Sequence, residues 1–139
     1  MTIDPGPENA AGSMATAAAP LVQRIRLAIV GLFILGLFVQ FYLAGRGAFG
    51  ASSYSTHKDF GDVLHLITPV ILLVTLLDRR TRNRVDVTHA ILLIVLFEVQ
   101  FALADLKHPN LGAFHPVNAL LILAVAYSLL RRDIRAVRR

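Results

Sequence analysis

Four long apolar segments alternate with short polar segments along this chain, at residues 27–44, 60–77, 87–106 and 115–130. At about 1.5 Å per residue, a helix of this length crosses a hydrocarbon core about 30 Å thick with little tilt. The polar segments between them contain Gly, Pro, Ser and Asn, which commonly end helices. Because the connections are short, neighbouring helices are expected to run antiparallel. The pattern therefore predicts an all-α fold, a four-helix transmembrane up-down bundle.

An internal repeat relates the two halves of this bundle. Residues 99–104, VQFALA, repeat residues 39–44, VQFYLA, with one change. In each copy this hexapeptide is followed by a loop, and a histidine then opens the next apolar segment, His57 in the first copy and His115 in the second. Each unit is an apolar helix, a glutamine, a loop, a histidine and a second apolar helix. The predicted bundle thus consists of two pseudo-repeated helix pairs.

The composition favours a membrane protein over an ordinary soluble domain. Hydrophobic residues make up 55% of the 139 residues, and the mean hydropathy is +0.62. The absence of cysteine excludes disulfides, thiolate metal sites and covalent c-type haem attachment. The net charge is +5, but the arginines flank the apolar segments. We therefore expect these charges to contact lipid headgroups, so the predicted partner is the lipid bilayer and not nucleic acid.

The distribution of positive charge predicts the orientation in the membrane. Eleven arginines lie on the side of the two termini and of the connection at residues 78–84. Only three positive charges, Arg46, Lys58 and Lys107, lie on the other side. By the positive-inside rule, both termini are cytoplasmic and the two histidine-bearing connections face outward, in a bacterial inner membrane.

The chain divides into three parts by composition. Residues 1–22 are rich in Ala, Pro and Gly and are predicted to be disordered. Residues 23–131 form the transmembrane domain, and residues 132–139 form a basic cytoplasmic tail. A cleaved signal peptide is the competing interpretation of the first apolar segment. This segment exceeds the usual apolar region of about 7–15 residues in such peptides, so a membrane span is favoured.

Polar side chains within the apolar segments concentrate in the outer half of the predicted bundle. Ionisable groups are costly in hydrocarbon and usually face the interior of a bundle. Counting along the helices places six polar residues in one layer: Gln40, Asp62, His65, Glu98, Gln100 and Asn118. The inner half of the segments is almost entirely Leu, Ile and Val, apart from His89. A polar layer confined to one leaflet indicates where a functional site would lie.

The repeated histidines lead to the first functional hypothesis, a b-type haem used for electron transfer or haem handling. Two neutral imidazoles from different helices can ligate one haem iron axially, and the repeat places His57 and His115 across the bundle at one depth. One turn below them, Gly61 and Ala119 are small and would leave room for a flat macrocycle. The other predicted site residues are Gln40 and Gln100, as hydrogen-bond partners, and Arg46 and Lys58, as partners of the propionates.

Other interpretations of the polar layer remain open. In the simplest one, His57 begins a helix at the level of the lipid headgroups and has no further role. A second interpretation is a proton or ion relay through Asp62, His65, Glu98 and Asp105, which would need polar steps through both leaflets. A third is a non-catalytic structural or accessory subunit whose polar layer specifies helix packing. A membrane redox partner or a second copy of the chain would be the protein partner.

The remaining histidines receive separate predictions. His65 lies about 12 Å from His57 along one helix, so the two cannot ligate the same iron. We expect Glu98 or Gln100 to satisfy His65 instead. His89 is predicted to be interfacial, and His108 to face solvent.

Established catalytic motifs are absent from the sequence. It has no nucleophile elbow, phosphate loop or Rossmann fingerprint. A zinc site would draw on His57, His65, His115 and Asp62, but these lack compact ligand spacing. Whether the protein is an enzyme is undecided from the sequence.

The repeated motif resembles two groups of membrane proteins. It reads Gln-x-x-x-Ala, a loop and His-x-x-x-Gly, then Gln-x-x-x-Ala, a loop and His-Pro-Val-Asn-Ala-Leu-Leu. The pattern looks like a small uncharacterised bacterial family with four spans. Over residues 25–130 it also resembles one half of haem A synthase, and this resemblance implies haem binding through His57 and His115. The chain has one half where that enzyme has two, and it lacks the cysteine pair, so haem A synthesis is not implied.

Overall fold

A computed structural model describes residues 7–78, 83–106 and 108–138, with side chains from Leu21 onward except that of Pro109. The described residues form the helices α1 (Pro7–Ala48), α2 (Ser55–Leu77), α3 (Arg84–Asp105), the one-turn α4 (Pro109–Gly112) and α5 (His115–Val137). Lys107, Arg139 and the predicted basic connection at residues 79–82 lie outside the described residues.

The four long helices form an up-down bundle, as predicted. α1 packs against α2 and α5, and α3 packs against the same two helices. The C-terminal half of α1 meets the start of α2, and the start of α1's membrane-spanning part meets the end of α5. α1 and α3 therefore lie on one diagonal of the bundle, and α2 and α5 lie on the other.

The helices are longer than the apolar segments that predict them. α1 begins at Pro7, within the stretch predicted to be disordered, where a run of alanines favours helix. α5 continues to Val137, through most of the predicted tail, because Asp133 is buried inside the bundle. The short connection before α5 contains one helical turn. Pro116 stands in the first turn of α5, where its missing N–H costs nothing.

The buried positions of the two helix pairs coincide in the repeat. In α1 the core residues are Val30, Phe33 and Leu37, and in α3 they are Ala90, Leu93 and Phe97. Leu64, Ile71 and Thr75 of α2 likewise correspond to Ile122, Leu129 and Asp133 of α5, at a constant offset. The alternating spacing of three and four residues is that of knobs-into-holes packing. The rings of Phe33 and Phe97 meet across the centre at 5.8 Å. The predicted repeat is therefore a repeat of the packing as well.

The outer surface of the bundle is apolar. Leu32, Leu35, Leu66 and Leu120 are each more than half exposed, as are many other large apolar side chains. A helix bundle stable in water would present a polar outer face instead. All four long helices are long and apolar enough to cross a bilayer. The chain is therefore a multi-pass integral membrane protein in contact with the lipid bilayer.

A proline inside α2 is compensated locally. Pro69 cannot donate the backbone hydrogen bond that the carbonyl of His65 would normally accept. The hydroxyl of Thr68 donates to that carbonyl at 2.9 Å instead. Because no water is available in hydrocarbon, this substitute bond allows the helix to continue past the proline.

A buried ion network lies at the end of the bundle opposite the histidines. We call this end the arginine end, and the network consists of Arg26, Asn83, Asp86, Arg132 and Asp133. Arg26 is 1% exposed, and its Nε donates to Oδ1 of Asp133 at 2.8 Å. Arg26 also contacts Asp86, which forms a second ion pair with Arg132. Two arginines thus face two aspartates, and Asp78, also buried, is close enough to act electrostatically on Asp133.

Helix capping holds one side of the network in place. Asn83 is the N-cap of α3, and its side-chain oxygen accepts from the backbone N–H of Asp86 at 2.9 Å. The same asparagine side chain donates to the Asp86 carboxylate at 3.2 Å. The start of α3 is therefore tied to the aspartate that pairs with the arginines.

This network is not among the features predicted from the sequence. The residues concerned lie just beyond the apolar segments, where arginines usually contact headgroups. One signal was present: the core spacing of α1 extends from Val30 back to Arg26, and that of α5 extends from Leu129 forward to Asp133.

Replacing Asp133 by alanine is expected to destabilise the bundle strongly, because it leaves Arg26 buried without its nearest counter-ion. The expected loss is about 3–5 kcal/mol in the free energy of unfolding. Denaturant unfolding in detergent, followed by circular dichroism, measures it. Asp62→Ala is the control, since Asp62 is exposed and should change stability by no more than about 0.5 kcal/mol.

The double variant Arg26→Met/Asp133→Leu provides the sharper comparison. It removes both charges together and leaves the neutral Asp86–Arg132 pair, so it should be more stable than Asp133→Ala. A double variant no more stable than the single one would contradict an electrostatic role for the pair.

Candidate functional site

His57 and His115 face each other at the other end of the bundle, the histidine end. Their ring centroids are 6.2 Å apart, with an angle of 63° between the ring planes. They lie in the first turns of α2 and α5, which are diagonally opposite in the bundle. The predicted placement across the bundle at one depth is what the structure has.

Both imidazoles make the same hydrogen bond to the preceding helix. Nδ1 of His57 lies 3.3 Å from the carbonyl oxygen of Gln40, and Nδ1 of His115 lies 3.1 Å from that of Gln100. A carbonyl oxygen only accepts, so each Nδ1 carries the proton and donates. In the neutral ring, Nε2 then keeps its lone pair. Each histidine is thus oriented by backbone and retains one nitrogen able to bind a metal.

The glutamine side chains add further contacts at this end. Nε2 of Gln40 donates to the carbonyl of His57 at 2.7 Å, which joins α1 to α2. Oε1 of Gln100 accepts from Asn118 at 2.7 Å, and Asn118 also donates to the carbonyl of Leu96 at 2.8 Å. We call Gln40, His57, Gln100, His115 and Asn118 the histidine layer. Its hydrogen bonds join the two helices within each pair of the repeat.

The two glutamines differ because their surroundings differ. Phe60 occupies the position in α2 that Asn118 occupies in α5, so Gln40 has no asparagine to pair with. Its Oε1 is buried without a hydrogen-bond partner among the described residues. A Cβ at Gly61 would lie 3.0 Å from Nε2 of Gln40. The space beside Gly61, predicted to admit a macrocycle, is therefore occupied by the Gln40 amide.

The connection between α1 and α2 folds over this end. The ring of Tyr54 packs closely on Gly47, where a Cβ would approach the ring to 2.7 Å. The same ring lies edge-on to His57, with centroids 6.2 Å apart. Arg46 is exposed and donates to the carbonyl of Ala51 at 3.4 Å. Arg46 and Lys58 thus both stand at the exposed rim of the histidine layer. Tyr54 was not among the predicted site residues. Its place in the glycine-containing connection before His57 is the one signal in the sequence that could have indicated its contact with that histidine.

His65 has the partner that the sequence predicts, but on the outside of the bundle. Nε2 of His65 lies 2.8 Å from Oε1 of Glu98, and its ring stacks on Phe97 at 6.0 Å. Asp62 and Asp105 are exposed, so the four residues of the hypothesised relay do not form an internal path. Among the described residues, no group of three or more His, Asp or Glu side chains could hold a metal ion. The hypothesised zinc site is therefore not formed among these described residues.

The other two histidines are peripheral. Nδ1 of His89 bonds the carbonyl of Val85 within its own helix at 2.7 Å. His108 is exposed in the connection before α4. Neither lies in the histidine layer.

Residues 40–108 match the model of a family of unknown function, DUF6220. This match begins at Gln40 and includes His57 and Gln100, but it ends before His115. No match was found among curated proteins or among solved structures. The resemblance to half of haem A synthase therefore depends on the short motifs alone. Through that match, about half of this multi-pass membrane protein is similar to a family whose function is unknown.

Replacing Asn118 by leucine should destabilise the α3–α5 pair. Asn118 is 5% exposed and donates two hydrogen bonds, so its loss leaves Oε1 of Gln100 without a partner. We expect a loss of about 1–3 kcal/mol in the free energy of unfolding, measured by denaturant titration in detergent. Asn110→Leu, at an exposed position, is the control. Equal effects of the two substitutions would argue against a structural role for the Asn118 contacts.

Proposed function

We propose that this protein binds a b-type haem between His57 and His115. The observation that supports it is the matched pair of imidazoles at the histidine end, each with Nδ1 hydrogen-bonded to a glutamine carbonyl. That bond fixes the tautomer that presents Nε2 to a metal, as second-shell partners of metal-bound histidines generally do. Electron transfer or haem handling in the membrane would follow from such a site.

The donor set fits haem better than a bare metal ion. Structural zinc needs four protein ligands and catalytic zinc needs three, whereas the described part of the histidine layer offers two imidazoles. A haem needs only one or two axial ligands from the protein, because the porphyrin supplies the others. Neutral imidazoles on two facing helices are therefore sufficient for haem and insufficient for zinc.

The spacing also fits. With their ring centroids 6.2 Å apart, His57 and His115 would both be near enough to hold one haem iron through Nε2. The Gln40 amide lies beside Gly61, so Gln40 would have to turn aside or form a hydrogen bond with the haem. Turning aside would break the hydrogen bond from Nε2 of Gln40 to the carbonyl of His57, whereas Oε1 of Gln40 has no partner to lose among the described residues.

Each residue of the layer has a defined task in this proposal. The carbonyls of Gln40 and Gln100 orient the two imidazoles and keep Nδ1 protonated. Tyr54 limits access of water from the connection between α1 and α2. Arg46 and Lys58 stand at the rim, where they would pair with anionic propionates. When bound, haem would supply one-electron redox chemistry.

A structural role is the second candidate, and one observation favours it. Side chains of the histidine layer form hydrogen bonds between the two helices of each pair, and these bonds stabilise the bundle without any ligand. In that case the chain would be a non-catalytic accessory subunit. The two candidates differ in whether the pair of Nε2 atoms is used.

The dithionite-reduced minus oxidised visible spectrum of the detergent-purified protein, expressed with ample haem, separates these candidates. We expect an α-band of b-type haem that disappears in His57→Ala and equally in His115→Ala. His65→Ala and His89→Ala are the controls and should keep the band, since neither residue lies in the histidine layer. Free imidazole should restore the band in His57→Gly by filling the place of the lost ring. A wild-type protein without any haem band would overturn the proposal.

The orientation is part of the same proposal, with the histidine end outside and both termini in the cytoplasm. Alkaline phosphatase is active only outside the cytoplasm, so its fusion after Arg139 should be inactive. The same enzyme inserted at Ser52, in the connection between α1 and α2, should be active. The reverse pattern would invert the proposed topology.

A further inference from the structure

A basic cavity lies on the outer face of α5, at the arginine end of the bundle. Its volume is about 280 Å³, and it is lined by Ala124, Tyr127, Ser128, Arg131, Arg132 and Arg135. The cavity extends about 12 Å along the helix, from Tyr127 to Arg135. Most of these residues lie on the side of α5 opposite to the buried Ala126 and Leu129. The cavity therefore opens away from the bundle.

Two of the three arginines in this cavity have no acidic partner. Arg131 and Arg135 are exposed, and neither forms an ion pair with any residue in the described ranges. The guanidinium of Arg131 lies over the ring of Tyr127, 5.9 Å from its centroid, which favours a fixed position of this charge. Arg132 is already paired with Asp86 in the network at this end. The cavity thus contains the uncompensated positive charge of Arg131 and Arg135.

The repeat shows that helix packing does not require these charges. At the constant offset that relates α2 to α5, Arg131 corresponds to Leu73 and Arg135 corresponds to Leu77. Both leucines are more than half exposed, as suits a surface in lipid. The same face of the partner helix is therefore apolar in one copy of the repeat and basic in the other. The charge on α5 is available to a ligand outside the bundle.

The depth of the cavity indicates the kind of ligand. Arg131 follows directly on the apolar segment that ends at Leu130, so the cavity lies where the hydrocarbon meets the lipid headgroups. Towards the histidine end, the same face of α5 continues with Leu120 and Leu121, each more than half exposed. A molecule that covers this surface needs an anionic group beside the arginines and an apolar part beside the leucines.

We propose that this cavity binds the headgroup of an anionic phospholipid, with the acyl chains of the lipid along the outer face of α5. Arginine donates paired hydrogen bonds to phosphate oxygens. A zwitterionic phospholipid also has a phosphate, but its cationic group is repelled by the uncompensated charge of Arg131 and Arg135. Selection of anionic lipid is therefore concentrated at this face of α5 and does not extend evenly around the arginine end.

Quenching of a single tryptophan by brominated lipid tests the proposal in vesicles. The chain has no tryptophan, so Tyr127→Trp places a reporter in the cavity and keeps an aromatic ring beside Arg131. The full-length protein is reconstituted in phosphatidylcholine with phosphatidylglycerol, and the bromine is carried by one lipid or by the other. We expect this reporter to favour phosphatidylglycerol about fivefold or more. A reporter at Leu73→Trp, on the corresponding face of α2, should be quenched almost equally by the two lipids.

Two charge variants separate a site from the general attraction of a basic surface to anionic lipid. In the Tyr127→Trp protein, Arg131→Gln/Arg135→Gln should bring the lipid preference close to one. Arg24→Gln/Arg84→Gln is the matched control, since it removes as many charges from the same end at exposed positions that do not line the cavity. This control should retain most of the preference.

Circular dichroism and thermal unfolding check that each variant remains folded. If Tyr127→Trp does not fold, Leu120→Trp provides a reporter further along the same face, and each single arginine variant can replace the double one. Equal quenching by the two lipids at the α5 reporter, or an equal loss of preference in both double variants, would overturn the proposal. So would loss of the preference on adding millimolar inorganic phosphate at constant ionic strength, because the cavity would then bind the free anion.

Discussion

The buried contact between Arg26 and Asp133 closes the bundle. It joins the first membrane-spanning helix to the last, across 107 positions of sequence. A buried charge costs several kcal/mol unless its counter-ion is held beside it, so this contact strongly favours one arrangement of α1 and α5. With α1 and α5 adjacent, the short connections leave α2 diagonal to α5. The opposition of His57 and His115 at the far end depends on that diagonal.

The two copies of the repeat are equivalent at one end of the bundle and different at the other. At the histidine end the two copies remain equivalent, since each imidazole bonds the carbonyl of its own glutamine. At the arginine end they have diverged, because Arg26 corresponds to Asp86 and Thr75 to Asp133. Divergence makes the charges of the halves complementary and so opposes pairing of like helices. Equivalence suits a ligand shared between the halves.

The sequence predicts the number of helices, their up-down order, the repeat and the opposition of the histidines, because these follow from segment length and motif spacing. It does not predict the ion network, since depth alone assigns a flanking arginine such as Arg26 to the headgroups. Depth in the membrane also does not predict whether a side chain faces the interior of the bundle or its outer surface. Asp62 and Glu98 lie at the depth of the histidine layer, but the helical phase of the core residues turns them outward. The position of each residue around its helix, relative to the buried residues Leu64 and Phe97, would have predicted that these two side chains face outward.

The retained equivalence of the histidines also supports the proposed ligand binding over simple helix pairing. The Nδ1 contact with a glutamine carbonyl needs only one donor, which serine or asparagine could also provide. An imidazole adds a second nitrogen on the other side of the ring. In helix pairing each histidine would serve its own helix pair, and the copies would be free to diverge as Thr75 and Asp133 have done. The proposed ligation of one metal centre would require both rings at once, and the bundle holds their centroids 6.2 Å apart.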